Sequence, residues 1–493
     1  MSSDGTMSVF LARTRPTATA APTKRGHWMK TLKILILSVV LVSMAGCGGG
    51  TSSVINPPPL QGTAQISVSL HDMPPTGVTV LSFQATITGI SMQPGNVSLL
   101  NSNMTLEISQ LQAMSAYMGT ISVPAGNYTG MTITLTNPRM TFLNGTGGTM
   151  GGMMGGGNCA NGQICQLNPT MMASGINITG SPFPLTVQAN TPFNLQMDFD
   201  LMDSMQSNMS MNPVMTSMMQ QGTPGSNVFD EMDDMIGQVS SVDTTNNQFK
   251  VSLVQGMPSM TLSVDANTTF QDFDTIGKPN SISGLSQGQI VLVKMQLMSG
   301  GTLHAGKVRF ESNKPQVMDG MIVAINSPTQ FDIVMMNEAP VFQGVNIGDV
   351  VRMNVQAGSM FDIDDMDMAV NGMSFASVSD MMVGQMVQIE PASALVPGTP
   401  PQLNTNHMRL MKAWMTAKVA SKIDASTFTV NNLPGMFGTT GITTMKISTS
   451  MQTAFENVSS AAALNAGDTV SVRGPMFMSS GTPTIIASKV QKR

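Results

Sequence analysis

Between residues 64 and 70 the chain reads AQISVSL, with Ala64, Ile66, Val68 and Leu70 at every second position and Gln65, Ser67 and Ser69 between them. A period of two is that of a β-strand with one face buried and the other wet. After the turn-forming HDMPPTG, the alternation resumes in LSFQATITGI through Leu81, Phe83, Ala85 and Ile87. Further strands are predicted at 120–123, 131–137 and 193–201, and only the stretch from Leu106 to Met118 permits a short helix. Strands this brief, with Gly and Pro between them, predict a β-sandwich over residues 62–205.

The pattern then repeats on a longer scale. GQVSSVDTTNNQFKV (237–251), GMIVAINSPTQFDIV (320–334) and AKVASKIDASTFTV (417–430) share one plan: an apolar strand, a polar turn, then Phe249, Phe331 or Phe428 opening a second strand. Downstream of each, Gly288, Gly384 or Gly467 precedes another alternating run, and LHAGKV, LNTNHM and IIASKV close the units. Corresponding points lie about 83 to 97 residues apart, the mark of a repeated small domain. The predicted fold class is therefore all-β, a sandwich followed by three small barrels or sandwiches over 235–312, 318–412 and 415–493. Two stretches break the alternation. The Gly- and Met-rich 144–175 reads as a long exposed loop, because Gly has no side chain to bury and costs backbone entropy. Residues 206–234, interrupted by Pro213 and Pro224, read as a Met-rich linker.

Ahead of the sandwich lies a different pattern. Ile34 to Met44 is an apolar run, preceded by Lys30 and Lys33 and followed by Ala45, Gly46 and Cys47. As a helix it would be only about 16 Å long against a hydrocarbon core of about 30 Å. It is too short to span and has the three-part layout of a signal peptide. The ending Met-Ala-Gly-Cys resembles the lipobox of bacterial lipoproteins, which implies cleavage before Cys47 and acylation of its thiol; Met44 stands where Leu is usual. The other reading is an ordinary secretory signal with an incidental cysteine. Several acyl chains would give stable anchoring, since one alone holds only marginally. Residues 1–46 are thus expected to be removed, and 47–61 to be a lipidated tether made flexible by Gly and Ser and extended by Pro. MKTLKILILSVVLVSMAGC, beginning at Met29, is by itself a complete signal, so translation is expected to start there. Gly48 occupies the place where an Asp would signal inner-membrane retention, so the resemblance points to the outer membrane of a Gram-negative cell envelope.

Composition sharpens this picture. The charged fraction is 10% and the net charge −5, with no basic stripe, which argues against a nucleic-acid partner. Of the three cysteines, Cys159 and Cys165 remain after the acylation candidate. In an oxidising compartment they are expected to form a disulfide, free thiols being the alternative. The chain holds 50 methionines but only 5% aromatics, and many Met stand where Leu or Val would serve, as at Met131, Met197, Met353 and Met386.

Two family resemblances enter here. VSLHDMPP at 68–75, VPAGNYTGMTITL at 123–135 and LQMDFDLMDSM at 195–205 occur in the order found in the bacterial extracytoplasmic family catalogued as domain of unknown function 4382, which the segment 62–205 resembles. The three later units are similar to the family catalogued as domain of unknown function 5666, the middle one departing most through MFDIDDMDMAVNGMSF. These resemblances imply a sandwich and small closed barrels, and no chemistry.

Candidate chemistry is sparse. Thioethers are soft ligands that select Cu(I); Met150, Met153 and Met154 in the Gly-rich loop and Met205, Met209 and Met211 in the linker are the candidate ligands, against a chain-wide substitution of Met for Leu. Asp362, Asp364, Asp365 and Asp367 offer hard oxygens for Ca²⁺ but lack the Gly and Glu of an EF-hand loop, so a solvated acidic loop is the plainer reading. His71 suits a surface turn, and His304 and His407 are expected to face outward from closing strands. No nucleophile-with-base arrangement, zinc-protease motif or phosphate-cradling loop is present, so no enzyme and no resident cofactor is expected. The expectation is an envelope-anchored lipoprotein that binds envelope proteins or glycans or serves structurally, with a periplasmic Cu(I)/Ag(I)-binding protein as the rival.

Overall fold

The computed structural model describes residues 61–72, 79–112, 114–145, 150–151, 158–206, 209–220, 228–253, 259–272, 280–311, 316–364, 368, 370, 372–479 and 481–493. The fold is all-β. Cys47, its leader and its tether lie outside the described residues, as do Met153, Met154, Asp365 and Asp367. No helix among the described residues is long and apolar enough to cross a membrane.

Two sheets face each other in the sandwich. The first has the order Val214–Gln220, Phe193–Asp200, Thr63–Asp72, Ala116–Pro124; the second is centred on Val80–Gln93 and Gly130–Leu143. Their inward residues form one apolar layer in which the Phe83 and Phe199 rings, one from each sheet, stack at 5.8 Å. Ala64, Ile66, Val68 and Leu70 are buried there, as the alternation predicts. The opposite face of the same strand departs from expectation: Ser67 and Ser69 are buried too, bonded to Thr120 and Asn194. That face is not wet because other units pack over it. Tyr128 is held at its turn by donating to the Pro124 carbonyl at 2.9 Å.

The exposed loop and the linker of the sequence reading both turn out to contain sheet. Within 144–175, Ile164–Leu167 pairs with residues 140–143, and the Cys159–Cys165 disulfide is formed and buried. From the supposed linker, Val214–Gln220 completes the first sheet and Met211 and Met215 enter the core. Its apolar residues do not alternate regularly, Met218 and Met219 being exposed and Ser217 buried, so its composition concealed a strand.

Each later unit begins with a hairpin: Val228–Asp243 with Gln248–Leu253, Val317–Ser327 with Gln330–Ala339, and Ala413–Lys422 with Thr427–Asn431. In the first two units five strands close a barrel. The third follows the same order with its last strand broken, Thr482–Ile486 pairing on one side and Lys489–Lys492 on the other. One turn recurs in all three. Gly288, Gly384 and Gly467 have φ of +85°, +91° and +89°, and each donates its N–H at 2.8 Å to the first strand, at Val239, Ile322 and Val419. The next residue's side chain, Gln289, Gln385 or Asp468, accepts from the backbone N–H three residues back and locks the turn. Left-handed φ is nearly free only for Gly, which explains the glycine ahead of each strand.

The units share apolar cores. One cluster draws Leu81 and Leu143 from the sandwich, Ile236 and Leu292 from the first barrel, Met321 and Val334 from the second, and Trp414, Phe428 and Val470 from the third. Between the first and second barrels, Arg309 Nη1 stands 2.8 Å from Asp364 Oδ1, both fully buried. Losing either partner of such a pair leaves a buried charge, costing on the order of 3–5 kcal/mol.

Candidate functional site

An open cleft lies where the first barrel meets the sandwich. Thr120, on Ala116–Pro124, donates its hydroxyl to the Gly301 carbonyl at 2.8 Å, and Tyr117 Oη bonds Thr120 Oγ1 at 2.9 Å. Gly301 has φ +77°, and a Cβ there would lie 2.5 Å from Thr120 Cγ2, so only glycine permits this approach. Above the contact is a cleft of about 500 Å³. Asn101, Ser102, Gln248, Ser259, Thr261 and Ser263 supply amides and hydroxyls, and Tyr117, Met118 and Met260 supply apolar surface. Among the described residues, no charged side chain lines it. Asn and Gln each offer both a donor and an acceptor, and hydroxyls do the same, so the lining can match a neutral ligand rich in hydroxyls. A second cavity, about 40 Å³ between the sandwich and the second and third barrels, has room for little more than a water molecule.

A buried polar centre lies elsewhere in the sandwich. Asp72, at the end of Thr63–Asp72, is fully buried, and its carboxylate oxygens have no hydrogen-bond partner among the described residues. Burial, then the neighbouring Asp198, push its pKa well above the usual carboxylate range, against the pull of Arg493. Asp198 is also raised by burial. Glu107 accepts from the Ser82 and Ser109 hydroxyls and the backbone N–H groups of Phe83 and Ser109, yet burial outweighs those bonds and lifts it to about 7. Arg493, the last residue, reaches from the third barrel to the carbonyls of Asp72 and Gln112.

His71 is not in a surface turn. It lies on the strand, 4% exposed, hydrogen-bonded to Ser115 and in register with Asp198. The order Ser115, His71, Asp198 has the residue types of a nucleophile with its base, but Ser115 is 1% exposed and lines neither cavity. His407 is likewise turned into a network, with Nδ1 2.8 Å from Glu390 and Nε2 3.0 Å from Asp362. His304 sits 3.5 Å from Asp265. The acidic-loop reading is overturned at the described positions: Asp362 is held by His407 and by Arg409 Nε at 2.9 Å, and Asp364 by Arg309. Burial raises Asp362, but those bonds and the Arg409 charge bring it below the usual carboxylate value.

Among the methionine candidates, Met150 is described by its backbone alone, pairing with Cys159. Met205, Met209 and Met211 gather at the sandwich edge with Met171, which the sequence reading did not select. Met131, Met197, Met353 and Met386 are buried core residues, as expected of Met in place of Leu.

Comparison with known families agrees with this architecture. Residues 63–215 match the family model described as Domain of unknown function (DUF4382), and residues 236–309 and 417–491 match that of Domain of unknown function (DUF5666). The chain resembles both families. In the DUF4382 region the match ends at Met215, inside the strand Val214–Gln220. The DUF5666 matches cover the first and third barrels; the middle barrel, which shares their strand order, falls outside them. There Val350–Ile363 runs as one long strand where each neighbour has two. No curated protein matches the chain. Asp72 and Asp198 of the buried centre fall in the segments 68–75 and 195–205 that carry the DUF4382 resemblance, the signal available in the sequence, whereas Glu107 lies outside them. The cleft had none, since its walls come from residues about 150 apart in sequence.

Proposed function

We propose that this chain is an envelope-anchored lipoprotein that acts as a binding module, and that its ligand is a glycan held in the cleft between the sandwich and the first barrel. The anchor rests on the signal-like run ending at Cys47 and on the resemblance to a lipobox; the outer membrane of a Gram-negative bacterium is the location that Gly48 favours. One observation carries the binding reading: a cleft of about 500 Å³ whose described lining is uncharged and made up of amides, hydroxyls, a tyrosine and methionines. That volume lies within the range usual for small-ligand sites. A sugar presents hydroxyls that need both donors and acceptors, and apolar ring faces that pack on Tyr117 or the flanking methionines. Among the described residues the lining offers no carboxylate, imidazole or thiol for acid–base or nucleophilic chemistry, which favours binding over turnover at this place.

The test is calorimetric titration of the purified full-length protein with a panel of neutral and acidic oligosaccharides. A neutral oligosaccharide should bind, and Asn101→Ala or Gln248→Ala should weaken it at least tenfold. Binding that neither substitution changes, or no binding across the panel, overturns the assignment and leaves protein contact as the surviving form of the module.

A further inference from the structure

We infer that Met171, Met205, Met209 and Met211 form a soft-metal site for Cu(I) at the edge of the sandwich, separate from the cleft. Met211 is the centre of the arrangement. It forms a parallel bridge with Met171 on one side and an antiparallel bridge with Met205 on the other. Bridge partners place their side chains on the same face of the sheet. The bonds around the antiparallel bridge, Gln206 N–H to Ser210 and Asn212 N–H to Ser204, make Met205 and Met211 a non-hydrogen-bonded pair. In such a pair the Cα atoms are only about 4.5 Å apart and the side chains stand closest. Three thioethers are thereby aligned side by side across three neighbouring chain segments. Met211 is fully buried and Met171 and Met205 are half-buried against the same core, so the three side chains share an apolar setting.

Met209, in the turn joining Met205 to Met211, supplies the independent observation. Its φ is +63°. Every other non-glycine residue at positive φ among those described is asparagine: Asn96, Asn137, Asn190, Asn247, Asn432 and Asn457. Asn tolerates the left-handed region through local hydrogen bonding, whereas an ordinary side chain pays roughly 1–2 kcal/mol. Asn or Gly would make the same turn without that cost but would give up the contact by which Met209, like Met171 and Met205, packs part-buried against the core that holds Met211, and strain retained in this way collects at functional sites. Unbranched thioethers are polarisable, weakly solvated donors, suited to Cu(I) rather than to hard cations.

The experiment is anaerobic titration of the full-length protein with Cu(I) in competition with bicinchoninate. One Cu(I) should be withdrawn from the chelator, with sulfur-only scattering in X-ray absorption. The combined substitution Met171→Leu, Met205→Leu and Met211→Leu conserves volume and should abolish competition. Met205→Leu alone, at a half-buried position, should weaken binding at least tenfold in a protein whose circular dichroism is unchanged. Control changes in the core, Met131→Leu and Met197→Leu, should leave the affinity as it is. Failure to compete at micromolar affinity, or equal loss in the core controls, overturns the site. Neither result touches the cleft, whose oligosaccharide binding is read separately.

Discussion

At the scale of single residues, several of the chain's few charges are buried, where they are costly. Glu107 is the clearest case. Its carboxyl holds a proton to about pH 7 in the folded protein because burial outweighs four donors, while an ordinary glutamate releases it near 4.5. Between those values the folded form binds more protons than the unfolded chain, so stability falls as pH rises across that window and levels off above it. The loss is on the order of 3 kcal/mol at most, given the rise from 4.5 to about 7. Glu107→Gln should remove it. The amide oxygen can accept the two backbone N–H groups and the amide nitrogen can donate to Ser82 Oγ, so the fold is kept. Urea unfolding of both proteins at pH 5 and pH 8 checks this: the midpoints should nearly coincide at pH 5, and the Gln variant should be the more stable at pH 8. A gap that does not widen with pH would remove Glu107 from the account.

At the scale of elements, the alternation of apolar residues was enough to read most strands, because a buried sheet face imposes its period whatever covers the other face. It could not show that Ser67 and Ser69 are buried, since hydroxyls satisfied by Thr120 and Asn194 look the same in sequence as hydroxyls in water. Composition misled at 144–175 and 206–234, where Gly and Met masked strands that tertiary pairing stabilises. The glycine before each late strand was legible as a repeat, though the reason for it lies in the turn geometry. Gly467 has open space around its missing Cβ, whereas a Cβ on Gly384 would lie 2.4 Å from Phe437 Cζ in the third barrel. Gly467→Ala should therefore cost only the left-handed backbone strain, about 1–2 kcal/mol. Gly384→Ala should cost clearly more, because it must also displace a buried ring. Chemical denaturation of the two variants compares them directly, and equal losses would mean that the contact between the second and third barrels yields freely.

At the scale of the whole molecule, the sequence divides into a sandwich and three repeats, but the apolar surface does not divide with it. Leu81, Ile236, Met321 and Trp414 come from four different units and belong to one cluster. The Arg309–Asp364 pair is buried between two barrels, Arg139 pairs with Asp349 across the sandwich and the second barrel, and Arg493 ties the third barrel back to Asp72. Separate cores joined by linkers would let the units move independently. A shared core fixes the walls of the cleft, because Asn101 and Gln248 reach it from different units and neither can leave without exposing apolar surface. Sequence periodicity could reveal the repeats but not this fusion, since contacts between units involve scattered positions such as Leu81 and Leu143 that alternate like any other strand residue. The most direct test is differential scanning calorimetry of the purified protein. A shared core predicts one cooperative transition with van't Hoff and calorimetric enthalpies that agree; two or more resolved transitions, with the first barrel melting apart from the sandwich, would contradict it.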